Sequence, residues 1–111
     1  PSFLMSLPPT EPIKETLKNL KINIALMEDK ELLANSKYLR VHWRRWNMKS
    51  NFLQLYIYKQ EMKSRLPNLS FMRKLLIKRK FNLSINEIEK FFQRRKRNEA
   101  DLNNEIQEII K

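Results

Sequence analysis

The fold class is decided first by residues 13–27, which read IKETLKNLKINIALM. The apolar side chains of this stretch recur at alternating spacings of four and three residues, and they are Ile13, Leu17, Leu20, Ile24 and Met27. This spacing places them on one side of an α-helix as a continuous stripe. We therefore expect a helix that starts just after Pro12, since proline is tolerated where the first amides of a helix have no partner.

The same period predicts a second helix from about residue 36 to Leu66. Its apolar stripe consists of Leu39, Trp43, Trp46, Leu53 and Ile57. Residues 34–36 should end the first helix, because Asn and Ser side chains compete for backbone hydrogen bonds. Residues 47–51 could hold a break, and Pro67 disfavours helix in the residue before it.

Two further helices are expected in the C-terminal half of the chain. Ser70 should begin a third helix that ends around residues 81–82 and buries the apolar side chains Phe71, Met72, Leu75 and Leu76. The pattern Ser84-Ile85-Asn86-Glu87 has the form of a capping box, in which side chains satisfy two free amides at a helix start. A fourth helix is therefore expected from Ser84 almost to Lys111.

Composition is typical of one small helical domain. The 111 residues include 41% apolar residues, no Gly and no Cys. The lack of Gly excludes a P-loop and a dinucleotide-binding fingerprint, and the lack of Cys excludes disulfides and thiolate metal sites. We predict an all-α fold, a small helical bundle of about four helices with a long C-terminal helix. Residues 13–111 should form a single domain after an extended N-terminal arm at residues 1–12.

The net charge of +11 is concentrated in the middle of the chain. Residues 37–97 hold eighteen Lys or Arg against three Glu, a balance of +15, whereas residues 1–36 carry −1 and residues 98–111 carry −3. No acid occurs in residues 63–80. Ordinary solubilising surfaces mix both signs, so this density indicates a polyanionic partner, with nucleic acid as the first candidate.

The candidate nucleic-acid-binding residues form three clusters within the basic block. They are Arg40, Arg44 and Arg45; Arg73, Lys74, Lys78, Arg79 and Lys80; and Lys90, Arg94, Arg95, Lys96 and Arg97. The first cluster is interleaved with Trp43 and Trp46, and indoles beside cations can stack on bases. The helical spacing of these two residues favours the other interpretation, in which both indoles belong to the core.

Residues 83–97, LSINEIEKFFQRRKR, resemble the recognition helix of a homeodomain. That family has a Leu-Ser/Thr turn, a buried aliphatic residue, a Trp-Phe pair and an Arg-rich exit. Ile88 corresponds to the aliphatic residue and Phe91-Phe92 to the aromatic pair. Arg94 stands where the family has its adenine-reading Asn.

The resemblance implies a three-helix unit at about residues 50–98 with a turn at residues 81–83. The helix from Ser84 would then lie in the major groove, DNA would be favoured over RNA, and phosphate contacts would dominate because the Asn is replaced.

The sequence contains few residues from which a catalytic site could be formed. His42 is the only histidine, so we expect no enzyme activity, no metal site and no cofactor. The leading hypothesis is a non-enzymatic, intracellular nucleic-acid-binding protein, with the nucleus favoured as its compartment and an organelle ribonucleoprotein as an alternative. Binding to an anionic membrane is disfavoured, since the aromatic and basic residues do not separate into two faces.

A different class of function is a structural or assembly subunit of a large ribonucleoprotein or chromatin complex. The apolar stripe near the C-terminus supports it, and its residues are Leu102, Ile106 and Ile109. A stripe beyond the domain core needs a cover, so we expect it to contact a partner helix or a second copy of the chain. The N-terminal helix is a further candidate for such contacts.

Overall fold

The computed structural model describes residues 12–45, 47–69 and 71–111, which form five α-helices and, within those ranges, no β-strand. The helices are α1 (Ile13–Leu26), α2 (Asp29–Val41), α3 (Met48–Arg65), α4 (Leu75–Arg94) and α5 (Glu99–Ile110). Two 3-10 segments, Leu66–Leu69 and Met72–Lys74, connect α3 to α4. The predicted all-α fold is confirmed, with one helix more than expected. Residues 1–11 of the predicted arm, Trp46 and Ser70 lie outside the described residues.

The central helix of the bundle is α3. Helices α1 and α5 contact each other and α3, whereas α2 and α4 contact each other and α3. The fully buried side chains of α3 are Leu53, Leu55, Tyr58 and Met62. Since α3 is covered from several directions, the α2–α4 pair and the α1–α5 pair form separate parts of the surface.

Helices α2 and α4 run side by side in the same direction. The Ser36 hydroxyl oxygen lies 3.5 Å from that of Ser84. Seven residues further along each segment, just after the end of α2, the Trp43 ring centroid lies 5.7 Å from that of Phe91. Because these contacts advance together along the two helices, the carboxyl ends of α2 and α4 lie at the same end of the molecule.

The first helix ends earlier than the sequence suggested. Its predicted stripe is buried at Leu17, Leu20, Ile24 and Met27, with Ile13 partly buried. The helix ends at Leu26, and Met27 has extended backbone with φ −71° and ψ 139°. Asn35 and Ser36, which were expected to end it, are buried inside α2. The Ser36 hydroxyl donates to the Leu33 carbonyl at 3.0 Å, so this side chain is satisfied without interrupting the helix.

The second helix is broken, but earlier than residues 47–51, since α2 ends at Val41 and α3 begins at Met48. Asn47 caps α3 by accepting a hydrogen bond from the Ser50 amide at 3.2 Å. The Asn51 side-chain amide donates to the carbonyls of Trp43 at 2.8 Å and Arg45 at 2.7 Å. These bonds hold the turn in place. The predicted end of this helix is confirmed to within a residue.

The break predicted at residues 81–83 is wrong, because α4 is continuous from Leu75 to Arg94. Ser84 therefore lies in the middle of a helix, and the predicted capping box is wrong as well. The buried residues that follow one another along α4 at helical spacing are Phe81, Ile85, Ile88 and Phe92. A continuous helix places all four against the core, which a turn at residues 81–83 would prevent. The turn that the homeodomain resemblance implies is absent from α4.

The long C-terminal helix predicted from Ser84 to Lys111 is interrupted after Arg94. Lys96 has φ 55°, in the left-handed region. Its amide donates to the Gln93 carbonyl at 3.1 Å, and the Arg97 amide donates to the Phe92 carbonyl at 2.9 Å. These two bonds are those of a Schellman motif, whose left-handed position is usually Gly. In a chain without Gly, Lys takes that position.

The segment that precedes α4 is the other departure from prediction. Phe71, Met72, Leu75 and Leu76, which we expected in the core, are all exposed. The inward positions nearby are held by Leu69, which is 2% exposed, and by Phe81, which is 0% exposed. Since these residues already cover the core at this point, the four side chains remain on the surface.

Candidate nucleic-acid interface

Three arginines gather where the carboxyl ends of α2 and α4 meet. The Arg95 guanidinium carbon lies 4.5 Å from the Trp43 ring centroid and 4.0 Å from the Phe91 ring centroid. Burial lowers the pKa of Arg95, and the positive charges of Arg44 and Arg94 lower this pKa further. Arg44 and Arg94 are therefore each close enough to Arg95 to repel it, and we name the three residues together the arginine cluster.

The aromatic residues beneath this cluster belong to the core. The Trp43 ring lies 5.4 Å from the Phe52 ring and 5.7 Å from the Phe91 ring, measured between centroids. Arg44 and Arg95 both lie over the Trp43 ring, at 4.9 and 4.5 Å. Cation–π contacts of this kind hold guanidinium groups at defined positions. For Trp43 the core interpretation is confirmed, and its role here is to position arginines.

A groove between α2 and α4 extends the positive surface away from the arginine cluster. It is lined by Lys37 and Arg40 of α2 and by Lys80 of α4, among others. We define the α2–α4 basic face as the following six residues: Lys37, Arg40, Arg44, Lys80, Arg94 and Arg95. Along α4, Lys80 and Arg94 are about 20 Å apart, the length of about six base pairs of duplex DNA.

The remaining predicted contacts lie outside this face or are already engaged. Arg97 lies 4.9 Å from the Phe52 ring centroid and 3.7 Å from a Glu105 carboxylate oxygen. Arg45 donates to the Tyr38 hydroxyl at 2.9 Å. The others are Arg73 and Lys74 before α4, Lys78, Arg79 and Lys90 on α4, and Lys96 after it. The structure therefore brings together only part of the three predicted clusters.

The acids of α5 neutralise cations elsewhere in the molecule. Glu105 lies 3.2 Å from the Lys49 amine, and Glu99 pairs with Lys59. On the α2–α4 basic face, Glu87 lies 4.0 Å from Arg40 and is the only acid paired there among residues 12–45, 47–69 and 71–111. The positive charge of the arginine cluster is thus not balanced by a carboxylate of the described residues.

Lys59 is a buried charged residue that was not predicted from the sequence. Its side chain is 4% exposed, and its amine lies 2.9 Å from Glu89 and 2.5 Å from Glu99. Burial acts to lower the pKa of Lys59, but hydrogen bonds and attraction from Glu99 and Glu89 outweigh it and raise the pKa. Lys59 thereby links α3 to α4 and to α5.

Arg65, the last residue of α3, has a similar structural role. Its guanidinium contacts Asp29 at 3.0 Å and Glu61 at 2.8 Å, and it donates to the Ile24 carbonyl at 2.9 Å. It therefore joins the end of α1 and the start of α2 to α3. Neither Arg65 nor Lys59 is available to a ligand. Of the two, only the burial of Lys59 could have been predicted from the sequence, since Lys59 lies between the apolar residues Tyr58 and Met62.

The C-terminal stripe does not need a partner to cover it. Leu102 and Ile106 are 0% and 2% exposed, and α5 packs against α1 and α3 of the same chain. Ile109 is partly buried against the same core. Leu102 and Ile106 are therefore not available to a partner helix, contrary to prediction, because the turn after Arg94 folds α5 back onto the bundle.

No family model, curated protein or solved structure matches this chain. Among residues 12–45, 47–69 and 71–111, no group of three His, Cys, Asp or Glu side chains is placed to hold a metal ion. In the same part of the chain, none of the helices combines the length and the apolar character needed to cross a membrane.

Proposed function

We propose that this protein binds nucleic acid through the α2–α4 basic face and has no catalytic role. The observation that carries the proposal is the arginine cluster, three guanidinium groups held together without a carboxylate of the described residues between them. Repulsion among like charges costs stability. A phosphate backbone would remove that cost, and guanidinium groups can bind phosphate oxygens through two parallel hydrogen bonds.

Phosphate contacts should supply most of the affinity. Arg44 and Arg94 are exposed, and Arg95 is fixed by the two rings beneath it. Such contacts position a protein on nucleic acid without reading its sequence. Since α4 lacks the turn of a helix-turn-helix unit, the proposal does not depend on the insertion of a recognition helix into a groove. Duplex DNA is the first ligand to test, with RNA as the alternative.

The test is a fluorescence-anisotropy titration with duplex DNA, single-stranded DNA and structured RNA at salt concentrations from about 50 to 300 mM, a range in which counterion release is visible. We expect affinity to fall steeply with salt. The double variant Arg44→Gln/Arg94→Gln should lower the slope of log K against log salt by about two, because each lost phosphate contact removes about one unit.

The matched control is Lys18→Gln/Lys21→Gln, which removes the same charge from exposed positions on α1. It should bind nearly as well as the unaltered chain. Equal losses in the two double variants would show attraction to net charge alone and would count against a defined face. Failure of the folded, unaltered chain to bind any of the three nucleic acids would reject the proposal.

A second candidate function is an assembly subunit of a ribonucleoprotein or chromatin complex. The exposed apolar residues before and within α4 favour it, because a monomeric protein rarely leaves a contiguous apolar patch uncovered. Both functions are compatible, since a basic face and an apolar patch can bind different partners. Sedimentation of the purified chain over a range of concentrations would show whether it remains monomeric without a partner.

A further inference from the structure

An apolar patch surrounds the start of α4 and continues along its outer side. Its members are Phe71, 69% exposed, Met72, 87%, Leu75, 46%, Leu76, 63%, and Leu83, 58%. We call these five residues the α4 patch. Leu76 and Leu83 are seven residues apart, which places them on the same side of the helix, two turns from each other.

The exposure of the α4 patch is a property of the folded segment. Leu69 anchors the connection in the core. The Lys74 amide donates to the Phe71 carbonyl at 2.8 Å, so Phe71 and Met72 belong to a hydrogen-bonded 3-10 turn. A small rotation of these side chains would not bury them, because the inward positions are already filled by Leu69 and Phe81.

The charges around the start of α4 are of one sign. Arg73, Lys74, Arg79 and Lys80 are all exposed and interleave with the apolar residues. No Asp or Glu occurs anywhere in residues 62–86. A partner for this surface therefore has to offer apolar side chains together with negative charge.

The groove between α2 and α4 continues the apolar surface. Leu83 lines it together with Leu33 of α2. Its charged lining consists of three cations, Lys37, Arg40 and Lys80, and one acid, Glu87, which pairs with Arg40. A groove between two parallel helices is a shape that an amphipathic helix fills, with its apolar face inward and its charged residues along the rim. A flat bilayer surface would leave the bottom of the groove uncovered.

Within residues 12–45, 47–69 and 71–111, a second copy of this chain does not offer such a helix. The acidic helix of the chain is α5, and its apolar residues Leu102 and Ile106 are buried in its own core. The exposed apolar residues of α1, Ile22 and Leu26, stand on a helix with three Lys and one Glu. Neither helix combines exposed apolar residues with negative charge.

We propose that the α4 patch and the adjoining α2–α4 groove dock an acidic amphipathic helix of a partner protein. The contact would share the groove residues Lys37, Arg40 and Lys80 with the α2–α4 basic face. It would be separate from the arginine cluster, which lies at the other end of α4. This inference does not depend on nucleic-acid binding, and one could be correct without the other.

The probe is a fluorescein-labelled synthetic helix with Leu at spacings of three and four residues and Glu at its other positions. A scrambled peptide of the same composition keeps the charge and loses the apolar face. We expect the patterned peptide to bind with a micromolar Kd, at least about tenfold more tightly than the scrambled one, which corresponds to about 1.4 kcal/mol. Equal binding of both peptides, or no binding of the patterned one, would overturn the proposal.

Leu76→Ser/Leu83→Ser should weaken binding of the patterned peptide at least about tenfold. The control Ile22→Ser/Leu26→Ser removes two equally exposed apolar side chains from α1 and should leave the Kd unchanged. Both pairs of positions are on the surface, so circular dichroism and urea denaturation should show that both double variants remain folded.

Two further titrations of Leu76→Ser/Leu83→Ser, one with DNA and one with lipid vesicles, test the other possible ligands of the α4 patch. Unchanged DNA binding would support the proposal, since it shows that the leucines of the α4 patch do not contribute to DNA binding. The variant could instead keep its affinity for the patterned peptide and lose binding to vesicles of phosphatidylglycerol and phosphatidylcholine, or to DNA. Either result would reject the proposal and would assign the patch to a bilayer or to nucleic acid.

Discussion

At the scale of single residues, Lys59 shows how a buried charge is stabilised by its neighbours. Its contribution to folding depends on its proton, because the pKa of Lys59 is raised by Glu99 and Glu89 against the effect of burial. The folded state holds the proton more tightly than the unfolded chain does. The contribution is therefore complete below the ordinary lysine pKa of about 10.4 and is lost as pH rises through the higher pKa of the folded state.

We expect Lys59→Met to lower the free energy of unfolding by about 2 kcal/mol at pH 7, in the range for hydrogen bonds to charged groups. The difference from the unaltered chain should stay constant up to about pH 9.5 and shrink above it. Urea denaturation at several pH values measures it. Lys49→Met, which removes the exposed pair with Glu105, should cost less than about 1 kcal/mol. A difference that grows with pH would contradict this assignment.

Lys96 carries backbone strain in a chain that has no glycine. Its φ of 55° is in the left-handed region, which costs a residue with a Cβ atom roughly 1 kcal/mol. Lys96→Gly should therefore raise the free energy of unfolding by about 1 kcal/mol, as measured by urea denaturation. The matched change Lys90→Gly, at an exposed position inside α4, should lower it by about the same amount. Destabilisation by both changes would show that Lys96 is not strained.

The sequence identified most of the exposed cations but not the environment of each one. The partners of Lys59 are Glu89 and Glu99, thirty and forty residues away, and no local pattern specifies such a distant pair. The same holds for Arg65 and Asp29. Lys37 of the basic face was missed, although its spacing of three and seven residues from Arg40 and Arg44 could have placed it with them.

At the scale of helices, the sequence predicted where apolar stripes occur more accurately than where helices end. The stripe of α1 was recovered, because it follows from local spacing. The break before α3 was expected at residues 47–51, and it lies just before them, where Asn47 caps the helix. The continuity of α4 was not recovered. Asn82 and Ser84 have the chemistry of a turn, but four core contacts of α4 outweigh that local preference, which is worth only fractions of a kcal/mol per residue.

Two similar substitutions test whether a polar side chain caps the start of a helix, as at Asn98 before α5, or lies inside one, as at Ser84 in α4. Asn98 is a true cap, since its side-chain oxygen accepts from the amides of Ala100 at 2.8 Å and Asp101 at 3.2 Å. Asn98→Ala should lower the free energy of unfolding by about 1 kcal/mol. Ser84→Ala should change it by less than about 0.5 kcal/mol, because Ser84 lies within α4 and caps nothing. Urea denaturation distinguishes the two, and equal losses would indicate that a helix begins at Ser84.

At the scale of the whole molecule, positive charge and helix packing divide the surface. The acids of α5 compensate cations near α3, and the α2–α4 side keeps its excess. The sequence showed the excess along the chain, with +15 in residues 37–97. It did not show which cations meet, since this depends on the parallel packing of α2 and α4.

This division predicts that the basic face reduces stability when no ligand is bound. Arg44→Gln/Arg94→Gln should raise the free energy of unfolding by about 1 kcal/mol at about 50 mM salt, through relief of repulsion. The gain should diminish at about 300 mM salt, where charges are screened within several ångströms. Thermal denaturation at both salt concentrations measures this, with Lys18→Gln/Lys21→Gln as the control that changes little. A loss of stability at low salt would contradict the expected repulsion.

The parallel direction of α2 and α4 has one more consequence. The carboxyl end of each helix carries roughly half a negative elementary charge from its aligned peptide dipoles. Both ends lie beside the arginine cluster, so backbone partial charges offset some of its repulsion where no described carboxylate does. These partial charges cannot be protonated, and they do not have to be displaced when a phosphate arrives. Arg40 must release Glu87 before it can bind a phosphate. Arg44 and Arg94 have no described carboxylate to release, so they can bind a phosphate as soon as it reaches the protein.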